Sequence, residues 1–209
     1  MSKFQPDCII IACNTVSTVA LEKIRCALDI PVVGVVPAIK PAAAMSSTKV
    51  IGLLATPATV GRSYTAALVS DYANDCTLVS VGSTRLVEIA EQHLRGIKVD
   101  MAEISSLLEP FIKAEQEQQL DTIVLGCTHF PLLGKFLAQV LPKSIGLIDS
   151  SAAIARQVAN ILGVEKVEHQ PKPNQQQCFM TKIGSSETEA SFVSGIKGFG
   201  FQEPELFSI

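Results

Sequence analysis

The hydrophobic positions of the chain form short continuous runs that alternate with segments of helical spacing. Residues 8–13 are the first run, rich in β-branched side chains, and apolar residues recur at helical spacing over residues 14–28. Comparable runs predict further strands at 31–36, 49–55, 77–81, 121–126, 145–148 and 178–183. Helices are predicted over 59–73, over 83–94, from 100 onward, and over 131–141, 151–162 and 186–197. This alternation predicts an α/β fold with two mostly parallel sheets.

Polar residues before several apolar segments predict helix starts. Ser83 is a candidate N-cap, and the pairs Asp100 with Glu103 and Ser186 with Glu189 resemble capping boxes. They place the beginnings of three predicted helices.

Three features predict interruptions. Pro110 lies inside the helix that begins near residue 100 and predicts a kink. The small-residue stretch 40–48 predicts a crossover between domains, and the polar, Gln- and Pro-rich segment 165–177 predicts a linker.

Composition narrows the function. The 209 residues carry a net charge of −3, which disfavours a nucleic-acid partner, and no apolar run approaches the length of a membrane span. The first residues lack an apolar signal region, so we expect a cytoplasmic protein. None of the six cysteines forms a Cys-x-x-Cys pair, and His93, His129 and His169 lack ligand spacing. We therefore expect reduced thiols and no metal.

An internal repeat singles out two of these cysteines. Asp7–Thr15 aligns without a gap with Asp121–His129, and in each copy an Asp lies six residues before a Cys. A hydrophobic strand fills the interval and two polar residues follow. Ligands of parallel α/β sheets bind beyond the carboxyl ends of strands, so Cys13 and Cys127 are candidate reactive thiols.

The chemistry of these thiols has several interpretations. The N-terminus of the helix that follows a strand-end cysteine lowers the pKa of its thiol, which favours reactivity. Most cysteines at strand ends, however, only fill space as small buried hydrophobic residues. We assign this packing role to the other four cysteines: Cys8, Cys26, Cys76 and Cys178. Two thiols on opposite sides of one molecule suit inversion of a stereocentre, while Cys127 with His129 is the one local pair for a thiol hydrolase. Neither the motifs nor the periodicity indicate a lysine that would form a Schiff base with pyridoxal phosphate.

Two segments resemble the signature motifs of the glutamate racemases, within the aspartate/glutamate racemase superfamily. They are Ala12–Thr15 and Gly126–Leu133, and the similarity covers most of residues 7–163. The resemblance implies two pseudo-symmetric α/β lobes with the active site between them. Residues 1–38 with 147–209 would form the first, discontinuous lobe, and residues 39–146 the second.

The resemblance also implies an activity: cofactor-independent interconversion of L- and D-glutamate, which supplies D-glutamate for peptidoglycan synthesis. Cys13 and Cys127 would be the two acid/base thiols, with His129 assisting Cys127. The substrate-binding residues that it implies are Asn14, Thr15, Thr128, His129 and Glu91. A solvated helix position explains Glu91 equally well.

The chain departs from this family's pattern. Family members open with a strand followed by Asp-Ser-Gly-x-Gly-Gly and later contain Pro-Tyr-Gly, and neither is present. We therefore expect a truncated first lobe and a 209-residue chain that is less stable than its parent protein and inactive or very weakly active. Two alternatives are a catalytically idle binding protein of this fold and a racemase for aspartate or a related dicarboxylate. The expected partner is a small-molecule substrate, and a homodimer is left open.

Overall fold

The structure is a computed structural model that describes residues 4–164, 176–181 and 186–207, with backbone alone over 186–189. Its strands are β1 (Ile9–Ile11), β2 (Val32–Gly34), β3 (Val50–Ala55), β4 (Thr77–Gly82), β5 (Thr122–Leu125), β6 (Gly146–Ile148), β7 (Phe179–Met180) and β8 (Glu205–Leu206). Its α-helices are α1 (Asn14–Ala27), α2 (Ile39–Met45), α3 (Pro57–Val60), α4 (Ser63–Tyr72), α5 (Arg85–Leu94), α6 (Met101–Gln118), α7 (Gly134–Val140), α8 (Ser151–Leu162) and α9 (Ser186–Lys197). A 3-10 helix spans Phe130–Leu133.

Every strand pair described is parallel. Strands β1 and β2 form one sheet, β4-β3-β5-β6 form a second in that order, and β7 pairs with β8. The predicted α/β class with parallel sheets is confirmed, whereas the β7–β8 pairing was not predicted.

The first compact unit comprises Met1–Val87 and Asp100–Glu165 and contains the first two sheets. Its central strand β3 is buried on both faces, as parallel strands between helices must be. On one face of β3, Ile51 and Leu53 belong to a cluster of buried hydrophobic residues that includes Ile39 of α2. On the other face, a Cβ at Gly52 would lie 2.9 Å from the Phe111 ring of α6, so the missing side chain lets α6 approach the sheet.

The stretch 40–48 is not simply a crossover, because most of it forms helix α2. Its alanines are small enough to pack closely on the sheet, and Ala42 and Ala43 are buried there. Pro41 lies in the first turn, where a helix does not need the missing N–H. This helix was not predicted, because small residues favour both turns and close helix packing.

Other predicted helices differ in detail. The helix predicted over 59–73 is divided into α3 and α4, and the segment after Pro131 begins as a 3-10 helix before α7. Helix α6 continues through Pro110. The predicted caps at Ser83 and Asp100 are confirmed, since their side chains accept hydrogen bonds from Leu86 and from Ala102 and Glu103.

The second unit comprises Glu88–Val99 and Lys166–Ile209. Helix α9 packs closely against the end of α5, since a Cβ at Gly195 would overlap the Leu94 carbonyl oxygen. The predicted helix over 186–197 is confirmed. The Ser186 and Glu189 side chains, and residues 165–175 of the predicted linker, lie outside the described part of the chain.

Candidate active site

The repeat places its two thiols beyond the ends of two strands in the first unit. Cys13 follows β1 and is the N-cap of α1, where the Val16 N–H donates to its sulfur over 3.5 Å. Cys127 follows β5 but precedes the 3-10 helix instead of a longer α-helix. The local backbone therefore differs between the two copies, and only Cys13 caps an α-helix.

Burial controls the acidity of the second thiol. It raises the pKa of Cys127, while the backbone N–H of His129 lowers it and a negative charge on Cys13 raises it further. The expectation that a helix N-terminus lowers this pKa is wrong for Cys127, because desolvation outweighs the local donors. The sulfur of Cys127 and Nδ1 of His129 lie 3.8 Å apart, which brings together the predicted pair.

The two motifs meet through a direct hydrogen bond. The Thr128 hydroxyl donates to the carbonyl of Ala12, the residue before Cys13, over 3.1 Å. Gly126, the residue before Cys127, packs closely on β3, because a Cβ there would lie 2.9 Å from the Leu53 side chain. Its role was not predicted, since the sequence does not reveal which residue lies beside a strand-end glycine.

Thr15 lies in a cluster of three hydroxyl groups. Its Oγ1 is 3.0 Å from that of Thr59 and 3.4 Å from that of Thr56, which are themselves 3.1 Å apart. Thr59 is 1% exposed. The cluster connects α1 to the end of β3. Our site prediction missed Thr56 and Thr59, although Thr56 lies directly after a predicted strand and Thr59 begins the next predicted helix.

A cavity of about 220 Å³ lies at this edge of the sheets. Cys127, Thr128 and Asn14 line it, together with the segment that joins β6 to α8. Asn14 is 4% exposed, and its Oδ1 has no hydrogen-bond donor among the described residues. Cys13, Thr15 and His129 are not among the described lining residues.

The remaining predicted residues have other surroundings. Glu91 belongs to the second unit and forms an ion pair with Arg95 over 3.2 Å. Cys26 is exposed, so our prediction that it is buried is wrong, while Cys8, Cys76 and Cys178 are partly buried. Among the described residues, no three His, Cys, Asp or Glu side chains are placed to hold a metal ion.

No helix in the described part of the chain is both long enough and apolar enough to cross a membrane.

Comparisons with protein families, known sequences and solved structures all match this chain to racemases. The family model described as Asp/Glu/Hydantoin racemase matches residues 2–158. A glutamate racemase of Pasteurella multocida is 48% identical over 96% of this chain and 72% of its own length, and one of Shewanella sp. (strain MR-7) is 48% identical over 88% and 68%. The crystal structure of Escherichia coli glutamate racemase in complex with L-glutamate and the activator UDP-MurNAc-ala matches with a TM-score of 0.88. It is 39% identical, over 99% of this chain and 76% of that one.

Parallel α/β sheets with a thiol, a buried amide and hydroxyl groups around one cavity define an enzyme that acts on a small molecule. The chain belongs to the Asp/Glu/Hydantoin racemase family. This makes it a racemase, a class of isomerase.

Proposed function

We propose that the protein interconverts L- and D-glutamate without a cofactor, with Cys13 and Cys127 as the two acid/base groups. The substrate is inferred from the relatives of this chain that are named glutamate racemases. The observation that supports the two-thiol mechanism is geometric: Cys13 and Cys127 each follow a strand end, and the Thr128 hydroxyl donates a hydrogen bond to the Ala12 carbonyl, which joins the two cysteine motifs.

Burial raises the pKa of Cys127 most, and a negative charge on Cys13 raises it further, so the Cys127 sulfur is held as a thiol that can donate a proton. A two-base racemase needs one thiolate and one thiol, because one group accepts a proton while the other donates one.

The proton transfers balance without an added reactant. The thiolate takes the Cα proton from one face of glutamate, and the electron pair of the broken C–H bond is left on Cα. The opposite thiol then gives its proton to the other face of Cα and becomes the thiolate. The enantiomer is inverted and the enzyme carries its charge on the other sulfur.

We assign supporting roles to neighbouring polar groups. His129 exchanges protons with Cys127, since Nδ1 lies 3.8 Å from the sulfur. Asn14, Thr15 and Thr128 offer amide and hydroxyl groups to the substrate. Glu91 forms an ion pair with Arg95, and its role in substrate binding stays a prediction.

The test is isotope exchange in D₂O. A chain with its first lobe restored should introduce deuterium at Cα of both L- and D-glutamate, observed by proton NMR, and should convert each enantiomer into the other, whereas the 209-residue chain should do so very weakly or not at all. Aspartate and a deuterated-solvent blank are the controls. Binding of D-glutamate without exchange would contradict racemisation and favour a binding protein, and exchange with aspartate alone would change the substrate.

The wider expectations follow from this activity. D-glutamate made in the cytoplasm would supply peptidoglycan synthesis. The division into lobes at residues 38 and 146 stays a prediction, and so does a homodimer.

A further inference from the structure

The cavity contains one charged group that neither the motifs nor the repeat singled out. Asp149 is the only acidic or basic side chain among the described lining residues. The other polar groups that line the cavity are neutral amides, hydroxyls and a thiol. A ligand with one positive group therefore has one ionic partner there.

Strand pairing places Asp149 on the same edge as Cys127. Parallel strands β5 and β6 pair Val124 with Ile148, so Asp149 leaves β6 beside the point where β5 ends in Leu125. Cys127 follows two residues later. Neighbouring strands lie about 4.8 Å apart, so the carboxylate and the thiol share one short stretch of the edge.

The Asp149 side chain is half-buried and held in place. One carboxylate oxygen accepts the backbone N–H of Ser151 over 2.7 Å at the start of α8. The adjacent Ser150 donates to the Val36 carbonyl, which fixes the segment that carries Asp149. The carboxylate retains further acceptor positions for a ligand.

Asn14 supplies a second acceptor in the same cavity. Its Oδ1 is buried and has no donor among the described residues, although an unsatisfied buried acceptor is costly. A ligand with several N–H donors would satisfy it. An ammonium group has three donors and a positive charge, so it matches both Asn14 and Asp149.

We propose that Asp149, with Asn14, recognises the ammonium group of the amino-acid substrate. The inference rests on the proposed racemase function and adds a specificity-determining residue to it. This contact disfavours the binding of dicarboxylates that lack an amino group. Such a molecule leaves the Asp149 charge unpaired and brings its own negative charges near it.

The same contact assists the proposed chemistry. A carboxylate beside the nitrogen keeps the amino group protonated. The positive charge on nitrogen stabilises the negative charge that develops on Cα when a thiolate removes its proton. Loss of Asp149 should therefore weaken substrate binding and slow proton removal together.

The test compares two ligands that differ in the amino group. Isothermal titration calorimetry would measure binding of D-glutamate and of glutarate, the five-carbon dicarboxylate without it. In Asp149→Asn, which keeps the side-chain shape and an oxygen for the Ser151 N–H, the Kd of D-glutamate should rise about tenfold or more. The Kd of glutarate should stay unchanged or fall. Asp149→Glu should restore part of the discrimination, and Asp71→Asn, at an exposed position of α4, is the matched control and should leave both Kd values unchanged.

The outcomes separate this inference from the proposed function. Equal weakening for both ligands, or an unchanged Kd for D-glutamate, would overturn the role of Asp149 even when the chain with its first lobe restored exchanges the Cα proton. Absence of that exchange in the restored chain would overturn the racemase assignment first. Circular dichroism of Asp149→Asn confirms that the variant is folded when its affinities are compared.

Discussion

The hydroxyl of Thr128 donates a hydrogen bond to the carbonyl of Ala12. Thr128 follows Cys127 and Ala12 precedes Cys13, so this bond ties one cysteine motif to the other. This contact joins the ends of β5 and β1, which belong to different sheets. It gives a structural role to Thr128, the first of the two polar residues that follow Cys127 in the repeat.

The two-thiol mechanism predicts that neither cysteine is dispensable. In the chain with its first lobe restored, Cys13→Ser and Cys127→Ser should each reduce interconversion by about 10²- to 10⁴-fold, because a hydroxyl is a far weaker base than a thiolate near neutral pH. Each variant should retain some Cα exchange from the enantiomer that faces its remaining thiol. Polarimetry measures interconversion, and NMR in D₂O measures exchange. Cys26→Ser, at an exposed position, is the control. Full turnover by either site variant would refute the mechanism.

Gly126 should be intolerant of even one added methyl group. A Cβ would lie 2.9 Å from Leu53 and 3.1 Å from the Cβ of Ala55, both fully buried. Gly126→Ala should therefore lower the free energy of unfolding by about 1–3 kcal/mol, as overpacking does. It should also reduce activity, since Cys127 is the next residue. Urea unfolding measures the first effect.

Gly134→Ala is the matched control for that experiment. Nothing lies within 4 Å of a Cβ at Gly134, which has a helical backbone at the start of α7. Its stability should stay equal or rise, because alanine favours helices. Equal effects of the two substitutions would show that crowding at residue 126 is not the cause.

The hydroxyl cluster should make Thr15 and Thr59 energetically interdependent. Thr59→Val removes a fully buried hydroxyl that lies 3.0 Å from the Thr15 hydroxyl, with little change in volume. The double-mutant cycle with Thr15→Val should give a coupling energy of about 0.5–1.5 kcal/mol in urea unfolding. A cycle that pairs Thr59→Val with the distant Thr77→Val should be additive. Additivity in both cycles would contradict the hydrogen bond.

The sequence predicted the parallel α/β class and the strand-end positions of both cysteines, because period and repeat are local signals. It did not predict helix α2, since a run of alanines with a proline is typical of either a loop or a tightly packed helix. Thr56 and Thr59 escaped the site prediction for a different reason. Their proximity to Thr15 depends on contacts 41 and 44 residues apart in the chain.

Dependence on the tertiary fold also explains why the sequence did not predict the position of Asp149 or the raised pKa of Cys127. Asp149 lies on the cavity only because β6 pairs with β5, and strand order is a property of the tertiary fold. The pKa of Cys127 depends on burial, which the flanking residues do not reveal.

Asp121, which begins the second copy of the repeat, should make stability depend on pH. Its Oδ2 accepts the N–H groups of Ser47 and Thr48 at 2.8 and 3.0 Å and the Ser47 hydroxyl at 3.0 Å. Burial by itself raises the pKa of this carboxyl, but the hydrogen bonds outweigh it and hold the pKa well below its usual range. The stabilisation is therefore present above the unfolded-state pKa of about 3.9 and is lost as pH falls below it.

Asp121→Asn keeps the shape of the side chain but removes the charge, so this part of the pH dependence should disappear. Urea unfolding between pH 6 and about pH 3, on either side of the unfolded-state value, should show a steeper loss of stability for the unsubstituted protein than for the variant. At pH 6 the variant should be the less stable of the two, because hydrogen bonds to a charged acceptor are stronger than those to an amide. Asp71→Asn, at an exposed position of α4, should leave the slope unchanged. Parallel slopes for the unsubstituted protein and Asp121→Asn would contradict the ionised, hydrogen-bonded carboxylate.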